Sequence, residues 1–291
     1  MGCGLDINEL KYIKNENLEN NILAWKNNES LEAYLSSKHL KIIYESNLNN
    51  YTNLNSKNNN HILSYKLSSQ NIDSILNKDN IKQEIDKQLN SMKFKNIEII
   101  YWFKKELEES EYAEIIKKNF LKISNNKPYI GVLNHNLEGI KKIHNILGTY
   151  GLKLFAVKSD YNVFKRFSQI LDYCKKNNIH FFSCDVFEKG ILSGKYNSEN
   201  CIPEKPNEEW RNHYNNQIQK IEKLNNVLKM NYKDASQIQI AYNISKGTIP
   251  VITFNELHEF LNNQETIQYY EDMAFGFERS VDMAEIEIYE E

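Results

Sequence analysis

The chain has 291 residues, 41% hydrophobic and 26% charged, enough apolar residues for a large core and too many for a disordered polymer. Its 36 Lys and Arg against 39 Asp and Glu leave a formal charge of −3, without the basic excess that marks binding to nucleic acid or an anionic membrane. Four cysteines, Cys3, Cys174, Cys184 and Cys201, show no CxxC spacing, which argues against a zinc ribbon and against a disulfide framework. No apolar run approaches the ~20 residues of a membrane span. The expectation is a soluble, cytoplasmic protein without a metal site. Met1-Gly2-Cys3-Gly4 invites a reading as a lipidation site, but Asp6 stands where that motif carries Ser or Thr.

In chain order, a helix is predicted around Leu18 to Leu35, then strands at Leu40 to Tyr44 and Ile62 to Lys66, with the Asn-rich loop Asn49 to Asn60 between them. Asp79 can cap a helix whose residues Ile81, Ile85, Leu89 and Met92 share one face. From there, short apolar runs alternate with amphipathic stretches. Strands are predicted at Ile97 to Trp102, Tyr129 to Leu133, Leu154 to Val157, Ile179 to Phe182 and Ile249 to Ile252. The intervening helices are expected at Tyr112 to Leu121, through Ile140, Ile143 and Leu147 to a stop near Gly148, and at Phe164 to Lys176. That gives seven strands, and Gly2 to Leu5 can supply an eighth.

Strands and helices alternating at this spacing imply a parallel sheet with crossover helices. Eight units favour a (β/α)8 TIM barrel over an open doubly wound sheet. Neither GxGxxG nor GxxxxGK[ST] is present to support the open form. One domain over residues 1–291 suffices, with shortened, divergent first units in 1–60 and an inserted loop at 197–216. In such a barrel chemistry sits at the C-terminal strand ends. Those positions are Lys66, Phe103, Asn134, Lys158, Cys184 with Asp185, and Thr253. They include no His and carboxylate metal set and no Ser-His-Asp arrangement. Cys184 has two readings, a pocket nucleophile or a buried inert thiol.

Four phrases carry a family resemblance. Tyr129-Ile130-Gly131-Val132-Leu133-Asn134 resembles the IGVSN phrase of aldo-keto reductases, and Val157-Lys158-Ser159-Asp160-Tyr161-Asn162 with Arg166 resembles their VQxxYN…R phrase. Lys189-Gly190-Ile191-Leu192-Ser193-Gly194-Lys195-Tyr196 is similar to their GxLTGKY loop, and Ala235 to Tyr242 to their xxAQxALAW helix. The likeness covers about residues 60 to 262. It implies a barrel that binds NAD(P)H without a Rossmann fold and acts on a small carbonyl or alcohol substrate.

The family scheme uses a Tyr general acid, a Lys that lowers its pKa, an Asp behind the Lys, and a His that orients the carbonyl. An unperturbed Tyr near pKa 10 holds its proton too tightly unless a cation stabilises the phenolate. By resemblance, Lys66 in Ser64-Tyr65-Lys66 takes the Lys role and Tyr51 the acid role, while Ser46 falls where the Asp is expected. Glu98 aligns with the family Asp of the fourth strand and Phe103 with the His, and a Phe cannot donate a hydrogen bond. On the cofactor side, Asn134 matches the Asn that holds the nicotinamide carboxamide, and Lys158 replaces the Gln beside it. Cys184 falls where an aromatic ring stacks on the nicotinamide. Gly190, Leu192 and Ser193 match the loop along the pyrophosphate. Thr253-Phe254-Asn255 replaces the segment after the last strand, and no Arg follows to pair a 2′-phosphate. The implied function is nicotinamide-dependent carbonyl reduction or alcohol oxidation. The alternative is a barrel that has lost redox activity and holds a ligand or partner at the same mouth.

Overall fold

The structure, a computed structural model, describes residues 24–25, 42–45, 61–67, 98–104, 107–121, 128–190, 192, 223, 235–251, 253–254, 278–279 and 281–282. The strands are β1 (Ala24–Trp25), β2 (Ile42–Glu45), β3 (His61–Leu67), β4 (Glu98–Phe103), β5 (Tyr129–Leu133), β6 (Leu154–Asp160), β7 (His180–Cys184), β8 (Ile249–Pro250) and β9 (Thr253–Phe254). The helices are α1 (Glu109–Ile115), which runs on into a π-helical turn (Ile116–Phe120), α2 (Leu137–Thr149), α3 (Ser168–Lys176) and α4 (Ala235–Ser245).

The sheet order is β8-β7-β6-β5-β4-β3-β2-β1-β9, and every pair from β1 to β6, with β1–β9, is parallel. The two ends of this order come from one run of chain, because only Val251 and Ile252 separate β8 from β9. Packing divides the chain into two compact units. One comprises Met1–Ser159, Gln169–Phe182 and Thr253–Leu257, the other Asp160–Ser168, Ser183–Ile252 and His258–Glu291.

In the first unit the strands β5 and β6 are buried almost throughout, as parallel strands covered on both faces must be. α2 turns Ile140, Ile143 and Leu147 inward, all fully buried, and each such side chain contributes roughly 1.5–3 kcal/mol. The helix begins because the Asn136 side chain accepts the Gly139 N–H at 2.8 Å, satisfying one of the first-turn donors.

Three helices stop in the same way and feed the next strand directly. At the end of α2, Gly151 takes φ 67, its N–H donates to Gly148 O, and Leu152 N–H donates to Leu147 O. Asn178 and Ile179 repeat this after α3, and Gly247 and Thr248 after α4. This double bond around a left-handed residue caps the last carbonyls and reverses the chain. Gly and Asn stand there because they enter the left-handed region at low cost.

The sequence expectations are met for the strands from β2 to β7 and corrected at other points. The run expected to be a helix at Leu18 to Leu35 contains β1, whose Ala24 and Trp25 pair with Thr253 and Phe254. A short apolar run is ambiguous between helix and strand, and here sheet pairing on both sides decides it. α3 begins at Ser168 rather than Phe164 because the Asn162 side chain accepts the N–H groups of Phe164 and Lys165. That local turn competes with a helical start. Residues 2–5, 49–60, 79–92 and 197–216 lie outside the described residues. Among the described residues no helix is long and apolar enough to cross a membrane, and no cluster of His, Cys, Asp and Glu could hold a metal.

Candidate active site

Backbone register lays out the site in the first unit. Lys66 pairs with Trp102 and Leu67 with Phe103. Trp102 pairs in turn with Gly131, and Gly131 with Ala156, while Leu133 pairs with Lys158. Partners in register share a face and alternate residues return to it. Trp102, Gly131 and Ala156 therefore form one row, and Lys158 lies one pleat further along the same face.

Side-chain contacts agree with that layout. Trp102 is 2% exposed and meets Phe182 of β7 edge-on, with centroids 5.6 Å apart. The Lys158 ammonium, on a residue only 5% exposed, lies 6.0 Å from the centre of the Trp102 ring, within cation–π range. The indole N–H of Trp102 is buried and has no acceptor, an omission that costs about 1–3 kcal/mol when nothing else fills it.

Phe103 lies on the other face. It is fully buried and packs edge-on against Tyr112 of α1 at 5.0 Å and Phe120 of the π turn at 6.4 Å. The alignment that set Phe103 opposite the family His is therefore corrected by one residue. The residue at the end of β4 that shares a face with Lys158 is Trp102. A shift of one position along a strand exchanges the faces, and Ile99-Ile100-Tyr101-Trp102-Phe103 offers no polar alternation to reveal it.

At the end of β5, Asn134 adopts φ 53 and donates its N–H to Lys158 O at 2.8 Å, leaving its side chain exposed. His135 next to it is buried and precedes α2 rather than lying on it. Its Nδ1 is 3.0 Å from Leu133 O, and since a carbonyl only accepts, Nδ1 carries the hydrogen. In the neutral ring Nε2 then accepts from the Tyr112 hydroxyl, 3.1 Å away. The strand end that carries Asn134 is thereby tied to α1.

The loops after β6 and β7 belong to the second unit, described by itself. Asn162 donates to Glu188 Oε2 at 2.7 Å and to Asp185 O at 3.0 Å. Lys165 Nζ pairs with Glu188 at 3.0 Å and Asp185 at 3.3 Å, and Lys189 N–H donates to Asp185 Oδ1. Burial works against the Lys165 charge, but Glu188, Asp185 and Asp160 outweigh it and raise its pKa. Burial raises the Asp185 carboxyl, with the Lys189 amide opposing it and the Glu188 charge adding to it. Asp185, Glu188, Lys189 and Gly190 all have positive φ, 49, 45, 54 and 92°. Gly190 and Leu192 both donate their N–H to Phe187 O at 2.9 Å, and the Leu192 side chain is fully buried.

Of the residues predicted from sequence, Lys66 on β3, Asn134 at the end of β5 and Lys158 on β6 belong to one unit, with β4 between β3 and β5, and Gly190 and Leu192 lie on one turn of the other. Tyr51 and Ser193 lie outside the described residues. Cys184 is partly exposed and Cys174 is the buried thiol. Sequence reasoning missed Trp102, the Tyr112–His135 pair and the Asn162 hub. The one available signal was Gly131, whose lack of a side chain admits the Trp102 ring.

Residues 34–273 match the family model described as the Aldo/keto reductase family. No curated protein matches the chain. Among solved structures, the glycerol dehydrogenase AKR11B4 from Gluconobacter oxydans is 12% identical with a TM-score of 0.65, covering 90% of each chain. The holo form of the aldo-keto reductase AKR11C1 from Bacillus halodurans is 14% identical with a TM-score of 0.61, covering 98% of this chain and 90% of the other. A Gox0644 mutant in complex with NADPH is 13% identical with a TM-score of 0.62, covering 91% and 89%. At these identities the likeness establishes the fold, the (β/α)8 barrel, and with the family match over most of its length the chain belongs to the aldo/keto reductase family.

Proposed function

We propose that this chain is a cytoplasmic nicotinamide-dependent oxidoreductase that interconverts a small carbonyl compound and its alcohol. The observation that carries the reading is Asn134. Its left-handed backbone is fixed by the bond to Lys158 O, and its exposed carboxamide offers one donor and one acceptor, the complement of another amide. The residues thus fit the amide end of NAD(P)H, and Lys158 can add a donor to the same carbonyl. When bound, the cofactor supplies or accepts the hydride. Lys66 lowers the pKa of Tyr51, which moves the proton at the substrate oxygen. Gly190, Leu192 and Ser193 shape the turn along the pyrophosphate, with the Gly190 and Leu192 amides already committed to Phe187 O.

The test is a comparison of Lys66→Met and Tyr51→Phe with the parent chain on a panel of aldehydes and ketones. Each variant should lose at least about a hundredfold in kcat, the scale of general acid–base catalysis, with thermal stability unchanged. A second reading, a ligand-binding barrel without redox activity, is favoured by the Trp102 ring lying over Gly131 on the face that carries Lys158. It predicts no turnover by the parent chain on any member of the panel.

A further inference from the structure

Between α1 and α2, both in the first unit, lies an open groove of about 740 Å³. The two helices run side by side in the same direction. Near their starts Lys142 Nζ donates to Leu107 O at 3.2 Å. Further along, the Lys117 ammonium lies 5.8 Å from the centre of the Tyr150 ring. One turn before that contact on each helix, Ala113 of α1 and Ile146 of α2 lie level with each other. Both line the groove and both are only half-buried, so apolar surface at its middle is left partly in water. The Asn145 carboxamide beside them is exposed.

Charge on this face is ordered about that midpoint. Glu109 stands one turn before Ala113 and Lys117 one turn after it, on the same side of the helix. Both are exposed. Glu114 meets Lys118 within the helix at 2.6 Å, whereas among the described residues Glu109 has no cation of its own. The Tyr150 ring covers one side of the Lys117 ammonium, which has three hydrogens to give.

A face with this order is its own complement. A two-fold axis crossing both helices at the level of Ala113 and Ile146 sets the helices of a second copy antiparallel to those of the first. Glu109 of each copy then meets Lys117 of the other, so one operation matches both charges. Ala113 at the centre lets the helices approach closely, the two Ile146 side chains cover each other, and a carboxamide such as Asn145, with a donor and an acceptor, complements itself.

We propose that α1 and α2 form a self-complementary face through which two copies of this chain associate, antiparallel about Ala113 and Ile146, with Glu109 of each copy against Lys117 of the other. The proposal is independent of the oxidoreductase reading, since none of these residues takes part in the site described above.

The experiment is sedimentation velocity of the full chain over a range of concentration and salt, with the variants Glu109→Lys and Lys117→Glu. The parent should sediment as a dimer at micromolar concentration and dissociate more readily as salt rises, because exposed charge pairs are screened. Each substitution sets like charges against each other at two related places and should weaken dimerisation by at least about tenfold. Mixing the two variants matches opposite charges at both places and should restore the dimer, a gain that misfolded chains cannot give. A parent that stays monomeric up to about 100 μM, a dimer indifferent to salt, a dimer unaffected by either substitution, or a mixture no more associated than its components would each overturn the proposal.

Discussion

The Trp102 ring occupies the space that a side chain on residue 131 would need. A Cβ built on Gly131 would lie 2.5 Å from Cε3 and Cζ3 of Trp102 and 3.0 Å from Ala156 O. Neither neighbour yields easily, since one is a buried ring and the other is sheet backbone. Gly131→Ala should therefore destabilise the chain by roughly 1–3 kcal/mol through overpacking. Trp102→Phe in the same background should recover part of that loss. Urea melts of the four chains in this cycle test the pairing, and a coupling below about 0.3 kcal/mol, the scatter of independent sites, would deny it.

Lys165 holds Glu188, whose side chain is 3% exposed. Lys165→Met leaves that carboxylate facing Asn162 without its cation, at a cost of roughly 3–5 kcal/mol. The lysine pKa is raised in the folded chain, so its contribution is complete below the unfolded value, about 10.4, and is lost as pH rises through the folded value. The stability gap between parent and variant should stay level from neutral pH to about 10 and close above it. A gap that closes at lower pH would contradict the ion pair.

Much of this architecture is legible in the sequence because its strands from β2 onward are short apolar runs bounded by helix signals. β1 is not, since Ile22-Leu23-Ala24-Trp25 reads equally well as one turn of a helix until β2 and β9 pair with it. Asn134 is legible as the residue that follows β5, whereas Lys158, expected just past a strand ending at Val157, lies within β6, which runs on to Asp160. Trp102 against Phe103 is not legible, because facing depends on register and both residues are large and apolar. The Tyr112–His135 bond joins residues 23 apart in sequence, a separation at which local pattern carries no information. The Asn162 hub is similarly hidden, as its Glu188 partner reaches it only through the packing of two loops.

Tyr112→Phe tests the tie between α1 and the strand end. It removes the hydroxyl that donates to His135 Nε2 while keeping the ring against Phe103. The expected loss is about 1–3 kcal/mol, that of a buried hydrogen bond broken on one side. Because His135 adjoins Asn134, NAD(P)H affinity should fall as well. Thermal melts and cofactor titrations of the variant check both; a stability equal to the parent's would contradict the bond.

Burial pushes the Cys174 thiol up to about 12, so at pH 8 almost none of it is the reactive thiolate. Iodoacetamide should leave Cys174 unmodified in the native chain and label it in denaturant. Partly exposed Cys184 should label first. Peptide mass mapping reads the order, and native labelling of Cys174 as fast as Cys184 would contradict its placement.

The most direct test of the central claim is a titration of the purified chain with NADPH and NADH, following nicotinamide fluorescence and thermal shift together. The account predicts saturable binding of at least one of them in the micromolar range, weakened in Asn134→Ala. No saturation up to about 1 mM, a binding free energy of only about 4 kcal/mol, would contradict it.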